Sequence, residues 1–263
     1  MKNAIIGSNG FIGGALKRYA DTHHKGEWVG ITRQNYRDYI NKKFDHLIWC
    51  AGTSSKRAPK EDLYREHVLG VALALSDFRF RSFVYLSSQS VYNDTGKIAS
   101  EKDPIRINNL TDYGRYKLLG EKLVKYSSPR WLCIRANGFV GPSLSKNVVY
   151  DLTQENPKLF VAWDSKIQYM HVDTFSEILF GLIYRWGSWN QVINVTSTDP
   201  ISPADIAHML HLDIKKVKVP TNKVVPRLYA VLNTTKLQKI LRYYNVHLPS
   251  SRDEVLLSIK EKY

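Results

Sequence analysis

The chain has 263 residues, enough to bury a sizeable core as one large α/β domain or a main domain with a small appendage. Its hydrophobic content is that of an ordinary globular protein, and no apolar run reaches the ~20 residues of a membrane span, which argues against a membrane partner. The formal charge is +14, yet Lys and Arg are scattered through every segment without a basic block or a nucleic-acid motif, so a generally basic surface is expected and nucleic acid is not.

The first stretch, Lys2 to Leu16 (KNAIIGSNGFIGGAL), sets the pattern for the rest. Ala4, Ile5 and Ile6 suit a buried strand, Gly7, Gly10 and Gly13 recur every third residue, and Phe11, Ile12, Ala15 and Leu16 begin a helical spacing. Strand, glycine turn and helix in that order form a dinucleotide fingerprint. Gly7 permits the tight turn, Gly10 lets backbone amides approach a pyrophosphate, and Gly13 lets the helix lie close on the strand. The helix start then offers unpaired N–H groups to phosphates. Asn9, Phe11 and Ile12 complete this candidate cofactor loop.

Glu27 to Thr32 reads as a second strand, and Arg33 follows it about 20 residues past the glycine turn, where such folds usually place an acid on the adenosine ribose. An acid there accepts hydrogen bonds from both ribose hydroxyls. Arg33 cannot accept, but its planar fork pairs with a phosphate, which favours NADP(H) and leaves NAD(H) as the alternative. Phe44 to Gly52 (FDHLIWCAG) is a third apolar run whose small residues, Ala51 and Gly52, can pass under a cofactor. Glu61 to Phe80 reads as a long helix with Leu63, Leu69, Leu73 and Leu75 among its apolar positions. Arg81 to Leu86 is a fourth strand running into Ser87-Ser88-Gln89-Ser90-Val91-Tyr92. Thr111 to Tyr126 is a helix that Pro129 stops, and Trp131 to Ala136 is a fifth strand. This alternation indicates an α/β protein with a doubly wound parallel sheet.

Past Asn137 the rhythm changes. Gly138 to Pro142 is a turn-rich exit, Ser143 to Pro157 an irregular or helical excursion, and Ile167 to Asp173 a short strand leading into a helix through Tyr184. Gln191 to Val195 is a last strand, followed by helices over Ala204–Leu210, Asn233–Tyr244 and Ser251–Tyr263. Cys50 and Cys133 both lie in apolar strand-like runs, so buried free thiols in a reducing compartment are expected. The chain shows no basic-apolar-small leader pattern, and a cytoplasmic address is expected. His67 and His171 have no metal-ligand spacing around them; hydrogen-bonded roles are expected and no metal site is assigned.

Tyr113 and Lys117 are four residues apart, which on a helix puts them on one face, one turn from each other. A free phenol titrates near 10. A neighbouring ammonium is expected to pull it towards neutrality and make it a usable proton shuttle.

Together these motifs resemble an extended short-chain dehydrogenase/reductase, the nucleotide-sugar epimerase/dehydratase/reductase family. Gly7-x-x-Gly10-x-x-Gly13, Ser-Ser-x-x-Val-Tyr at Ser87 to Tyr92, and Tyr113-x-x-x-Lys117 carry the resemblance. Arg135-Ala-Asn137-Gly-Phe-Val-Gly141-Pro142 and Met170-His171-Val172-Asp173 extend it over nearly the whole chain. It implies a Rossmann domain over residues 1–137, with 167–197 returning to it, and a substrate-binding region over 138–166 and 198–263. It implies Ser88 as the catalytic serine, with Ser87 and Ser90 in local hydrogen-bonding roles. Tyr113 is then the acid/base, and Lys117 binds the nicotinamide ribose while tuning Tyr113. Gln89 and Asn137 are further candidates for the sugar diphosphate or its sugar, and Arg227 and Lys223 are candidates for the diphosphate because cations suit it. Sugar 4,6-dehydratases of the family carry Asp-Glu directly after the catalytic hydroxyl residue; Gln89 and Ser90 stand there here, which removes the general base for dehydration. Arg33 replaces the acid that NAD-retaining epimerases use. The resemblance thus points to an NADP(H)-dependent reductase of a nucleotide-linked keto sugar, of 4-keto-6-deoxy type. The segment from Arg227 to Leu237 is similar to the tail of dTDP-4-dehydrorhamnose reductase-like 4-ketoreductases. A nucleotide-sugar epimerase with retained NAD is the enzymatic alternative, and a dinucleotide-binding sensor or scaffold the non-enzymatic one. Relatives often dimerise through the helices matching 61–80 and 111–126, which implies a homodimer.

Overall fold

The structure is a computed structural model that describes residues 2–24, 26–53, 58–92, 96–219 and 226–261. Its elements run β1 (Lys2–Ile6), α1 (Phe11–His23), β2 (Glu27–Ile31), β3 (Lys43–Trp49), α2 (Lys60–Tyr64), α3 (Gly70–Asp77), β4 (Arg79–Ser88), α4 (Asp112–Ser127) and β5 (Trp131–Ala136). Then come β6 (Gly138–Val140), α5 (Val148–Leu152), β7 (Lys166–Ile167), β8 (Tyr169–His171), α6 (Val172–Tyr184), β9 (Gln191–Val195), α7 (Pro203–Met209), β10 (Tyr229–Ala230), α8 (Thr235–Tyr243) and α9 (Ser251–Lys260). They fall into two compact units.

The first unit comprises Met1–Asn93, Glu101–Ala136 and Ser176–Asn194. Its six-stranded sheet has the order β2-β1-β3-β4-β5-β9, and the pairings from β2 to β5 are parallel. Parallel strands need cover on both faces, and alternate side chains supply it. Ala4, Ile6, Leu47, Trp49, Phe83 and Tyr85 join Val71 and Ala74 of α3 and Val124 of α4 in one core. On the other face Trp28 meets Phe180 edge-on at 5.0 Å and Tyr19 of α1 stacks on Phe180 at 5.4 Å. Because β1 lies between β2 and β3, the strand order reverses at its carboxyl end, which is where open α/β sheets form ligand crevices.

The second unit comprises Asp94–Ser100, Asn137–Phe175 and Val195–Tyr263. Its core gathers Val149, Leu152, Leu159, Tyr169, Ile206 and Val255. Ser251, at the start of α9, accepts the Tyr169 N–H at 3.0 Å, and Glu254 accepts the N–H of His171.

Several boundaries differ from the sequence reading. The helix expected over Glu61–Phe80 ends at Asp77, because Arg79 and Phe80 pair with Lys43 and Phe44 as the start of β4. It is also interrupted by a π-helical turn, Arg65–Leu69. Leu69 and Leu73 are 43% and 56% exposed; the buried stripe is Leu63, His67, Val71 and Ala74. Gly138 to Val140, expected as turn, is strand β6 paired with β8. The return to the first unit starts at Ser176 instead of 167, since β7 pairs with β10 and β8 with β6. Both cysteines are free; Cys133 is buried and Cys50 half-buried. Among the described residues no helix is long and apolar enough to cross a membrane.

Candidate active site

The glycine turn joins β1 to α1 under tight steric control. Gly7 has φ +92°, and its N–H donates to Ile31 at 2.8 Å. A Cβ at Gly13 would meet the Gly7 carbonyl oxygen at 2.1 Å and Cys50 Sγ at 2.9 Å, so only glycine lets α1 sit this low on the strand ends. Gly10 is the N-cap of α1, with no side-chain cap and no acidic residue in the first turn. Those amides therefore face a prospective phosphate without a competing carboxylate, and the cradle fits a dinucleotide pyrophosphate. Asn9 is exposed at the tip of the turn, and Phe11 and Ile12 are half-buried in the first turn of the helix.

Across the crevice β3 runs out into Ala51 and Gly52. Gly52 lies against the imidazole of His67, where a Cβ would sit 2.4 Å from Cε1. His67 Nε2 donates to the Thr53 carbonyl at 2.9 Å, and its Nδ1 is buried with no partner among the described residues. Burial, and then the Lys117 charge, push the imidazole down to about 3, so it is neutral. Its ring meets the Tyr113 ring edge to face, with the centroids 5.2 Å apart.

β4 ends at Ser88, whose Oγ accepts the Ser90 N–H at 3.1 Å and whose hydroxyl lies near enough to the Tyr113 phenol to favour its ionised form. Tyr113 arrives from the first turn of α4, where Thr111 caps by accepting the Gly114 N–H at 3.2 Å. A Cβ on Gly114 would lie 2.0 Å from the Ser90 carbonyl oxygen, so this glycine lets the helix start press against the turn after β4. One turn on, Lys117 is buried; its Nζ donates to the Leu86 carbonyl at 2.9 Å and lies 5.1 Å from the centre of the Tyr85 ring. Gln89 is half-buried and donates to Ser90 Oγ at 3.2 Å. The structure places Ser88 where it acts on the Tyr113 phenol, with Lys117 on the same helix one turn on.

The expected tuning takes a different form. Burial pushes Tyr113 up to about 12, with the Ser88 hydroxyl opposing it. Burial likewise pulls Lys117 down to about 8, opposed by Cys50, Glu121 and Glu66. The ammonium is held by a backbone carbonyl, so desolvation outweighs it at the phenol. Tyr113 is therefore a protonated acid through the neutral range.

Beneath this group lies a buried ionic network that sequence spacing did not single out. Glu121, one further turn along α4, accepts both Nε and Nη2 of Arg135 at 2.8 Å and the Ser87 hydroxyl at 2.7 Å. Burial alone would raise its carboxyl, but Arg135 and Ser87 bring it below its ordinary value. The available signals were a glutamate four residues from Lys117 and an arginine inside the apolar run WLCIRA. Arg135 also stacks over Tyr92, whose hydroxyl donates to Asn194 at 2.7 Å.

Arg33, just beyond β2, pairs with Glu66. Asn137 and Arg227 belong to the second unit, where Asn137 Nδ2 donates to the Ala230 carbonyl and Arg227 pairs with Asp164 at 3.0 Å. Lys223 lies outside the described residues. His171 is buried in the second unit, with Nε2 2.8 Å from Glu261 Oε2 and Nδ1 3.8 Å from Asp173 Oδ2. These three bring ligand atoms within 4.8 Å of one another, a grouping invisible in spacing because Glu261 is 90 positions away. The nearest carboxylate contacts fall on different ring nitrogens, so the pattern is that of a hydrogen-bonded histidine.

A family model described as the NAD dependent epimerase/dehydratase family matches residues 4–147. Solved structures agree in fold. A UDP-galactose 4-epimerase is 20% identical with a TM-score of 0.76, covering 100% of both chains. A dTDP-4-dehydrorhamnose reductase from Clostridium acetobutylicum is 20% identical with a TM-score of 0.78, covering 99% of each. The UDP-glucuronic acid 4-epimerase of Bacillus cereus in complex with NAD is 16% identical with a TM-score of 0.80, covering 97% of this chain and 94% of that one. No curated protein matches the sequence. The chain belongs to the NAD dependent epimerase/dehydratase family, and with it to the nicotinamide-dependent enzymes of extended short-chain dehydrogenase/reductase type.

Proposed function

We propose that this family member reduces the keto group of a nucleotide-linked sugar, of 4-keto-6-deoxy type, with NADP(H) as the preferred reductant. The convergence of Ser88 at the end of β4 with Tyr113 and the buried Lys117 one helical turn further along α4 carries this reading. Gly7, Gly10 and Gly13, with the uncapped start of α1, hold the pyrophosphate, Ala51 and Gly52 line the path, and Arg33 faces the adenosine end. The bound nicotinamide supplies the hydride. Ser88 donates to the keto oxygen, Tyr113 delivers its proton there, and Lys117 offsets the negative charge left on the phenol. Burial keeps the Tyr113 phenol protonated, so it has a proton to give to the keto oxygen. Gln89 and Ser90, where the family's dehydratases carry two acids, provide no base for water elimination. Asn137 and Arg227 are assigned to the sugar diphosphate on the family resemblance; Arg227 would exchange Asp164 for phosphate. The reading includes a cytoplasmic homodimer formed through α2, α3 and α4, where Leu69 and Leu73 face outwards.

A panel of nucleotide-linked 4-keto sugars, with NADPH oxidation as the readout, tests it. Net oxidation with at least one member is expected. Release of NAD on denaturation, with interconversion of sugars and no net NADPH consumption, would replace the reductase by the epimerase. The pH profile is a second expectation. Tyr113 stays protonated while Lys117 loses its charge near 8, so reduction should be flat below about pH 8 and fall above it. Lys117→Met should be slower and lose that limb. A rate that climbs through pH 8 would contradict the assigned roles.

A further inference from the structure

The π-helical turn Arg65–Leu69 lies between α2 and α3, and such turns concentrate at functional sites because the extra residue re-aims neighbouring side chains. Here it presents Glu66 to the two loops that leave the carboxyl ends of β2 and β3. Glu66 Oε2 accepts the Thr53 N–H at 2.5 Å, and Oε1 accepts from Arg33 Nη2. The carboxylate is 20% exposed and anchored; the guanidinium is 86% exposed, and Glu66 is its ion-pair partner among the described residues. Arg33 is thus half of an ion pair at the position where this fold meets the adenosine ribose.

We propose that Glu66 sets the dinucleotide preference of this chain by holding Arg33 away from a 2′-phosphate. The inference rests on the preceding assignment of Arg33 and deepens it. A ribose with two free hydroxyls leaves the Arg33–Glu66 pair intact and offers donors to the carboxylate. A 2′-phosphate must take Arg33 from Glu66 and then lie beside a carboxylate that Thr53 keeps in place. Like charges so placed repel, and specificity of this kind is a difference between two affinities. NADP(H) preference is consequently held below what an unpaired Arg33 would give, and NAD(H) is accommodated.

Glu66→Gln isolates the effect, since the amide oxygen still accepts the Thr53 N–H and only the charge is removed. Calorimetric titration of the full chain with NADPH and NADH, in wild type, E66Q and the E66Q/R33A double variant, reads it. E66Q should tighten NADPH about tenfold, a change of about 1.4 kcal/mol, while NADH changes by no more than about twofold. The double variant should lose that gain. An unchanged NADPH-to-NADH ratio in E66Q, an equal shift for both dinucleotides, or a gain that survives R33A would overturn the inference. If wild type binds neither dinucleotide, the cofactor-site reading itself fails, an outcome distinct from the other three.

Discussion

Tyr113→Phe should lower turnover by about 10²–10⁴-fold, the range that a positioned general acid contributes, while the dissociation constant for the dinucleotide stays within about threefold. The ring is retained, so the packing against His67 and the close approach of α4 to the Ser90 carbonyl survive. What disappears is the proton and the phenol's interaction with Ser88. Stopped-flow NADPH oxidation and a binding titration separate the two effects. A variant that turns over like wild type would remove Tyr113 from the chemistry. A variant that loses dinucleotide binding as well would make the phenol a structural element of the pocket.

Glu121→Ala should be the most destabilising single change in this region. Arg135 is almost fully buried and directs two hydrogen bonds at the carboxylate, and Ser87 directs a third. Removing one partner of a buried pair leaves the other charge uncompensated and costs about 3–5 kcal/mol, against a total stability of about 5–15 kcal/mol for typical domains. Urea denaturation should show the midpoint falling with little change in slope. The pH dependence has a definite sign. The folded-state carboxyl lies below its ordinary value, so its stabilisation is present above the unfolded carboxylate range and is lost as pH falls through the folded value. A wild-type-like midpoint for Glu121→Ala would show that Arg135 finds another partner.

The features legible in the sequence were those written in short spacings. The glycine turn, the serine run after β4 and the Tyr113–Lys117 interval each lie within one strand-turn-helix unit, where backbone geometry alone brings the residues together. The parallel doubly wound sheet follows from the same alternation, and β5 and β9 fall where the apolar runs placed them. Glu66 meets Arg33 across 33 positions and Glu121 meets Arg135 across 14, and no local period announces such partners. The π turn is equally hidden, because one extra backbone residue leaves no mark on composition. The ionisation of Tyr113 and Lys117 was misread for a different reason. Spacing reports that a phenol and an ammonium share a helix face, whereas the direction of each shift depends on burial and on the Leu86 carbonyl that occupies the ammonium.

Transfer of a labelled hydride tests the central claim most directly. NADPH carrying deuterium at the transferable position of the nicotinamide, mixed with the purified chain and a nucleotide-linked 4-keto sugar, should yield a sugar alcohol holding one deuterium at the reduced carbon, and Tyr113→Phe should form that product about 10²–10⁴-fold more slowly. A product without deuterium, or the same rate from the Phe variant, would contradict the account.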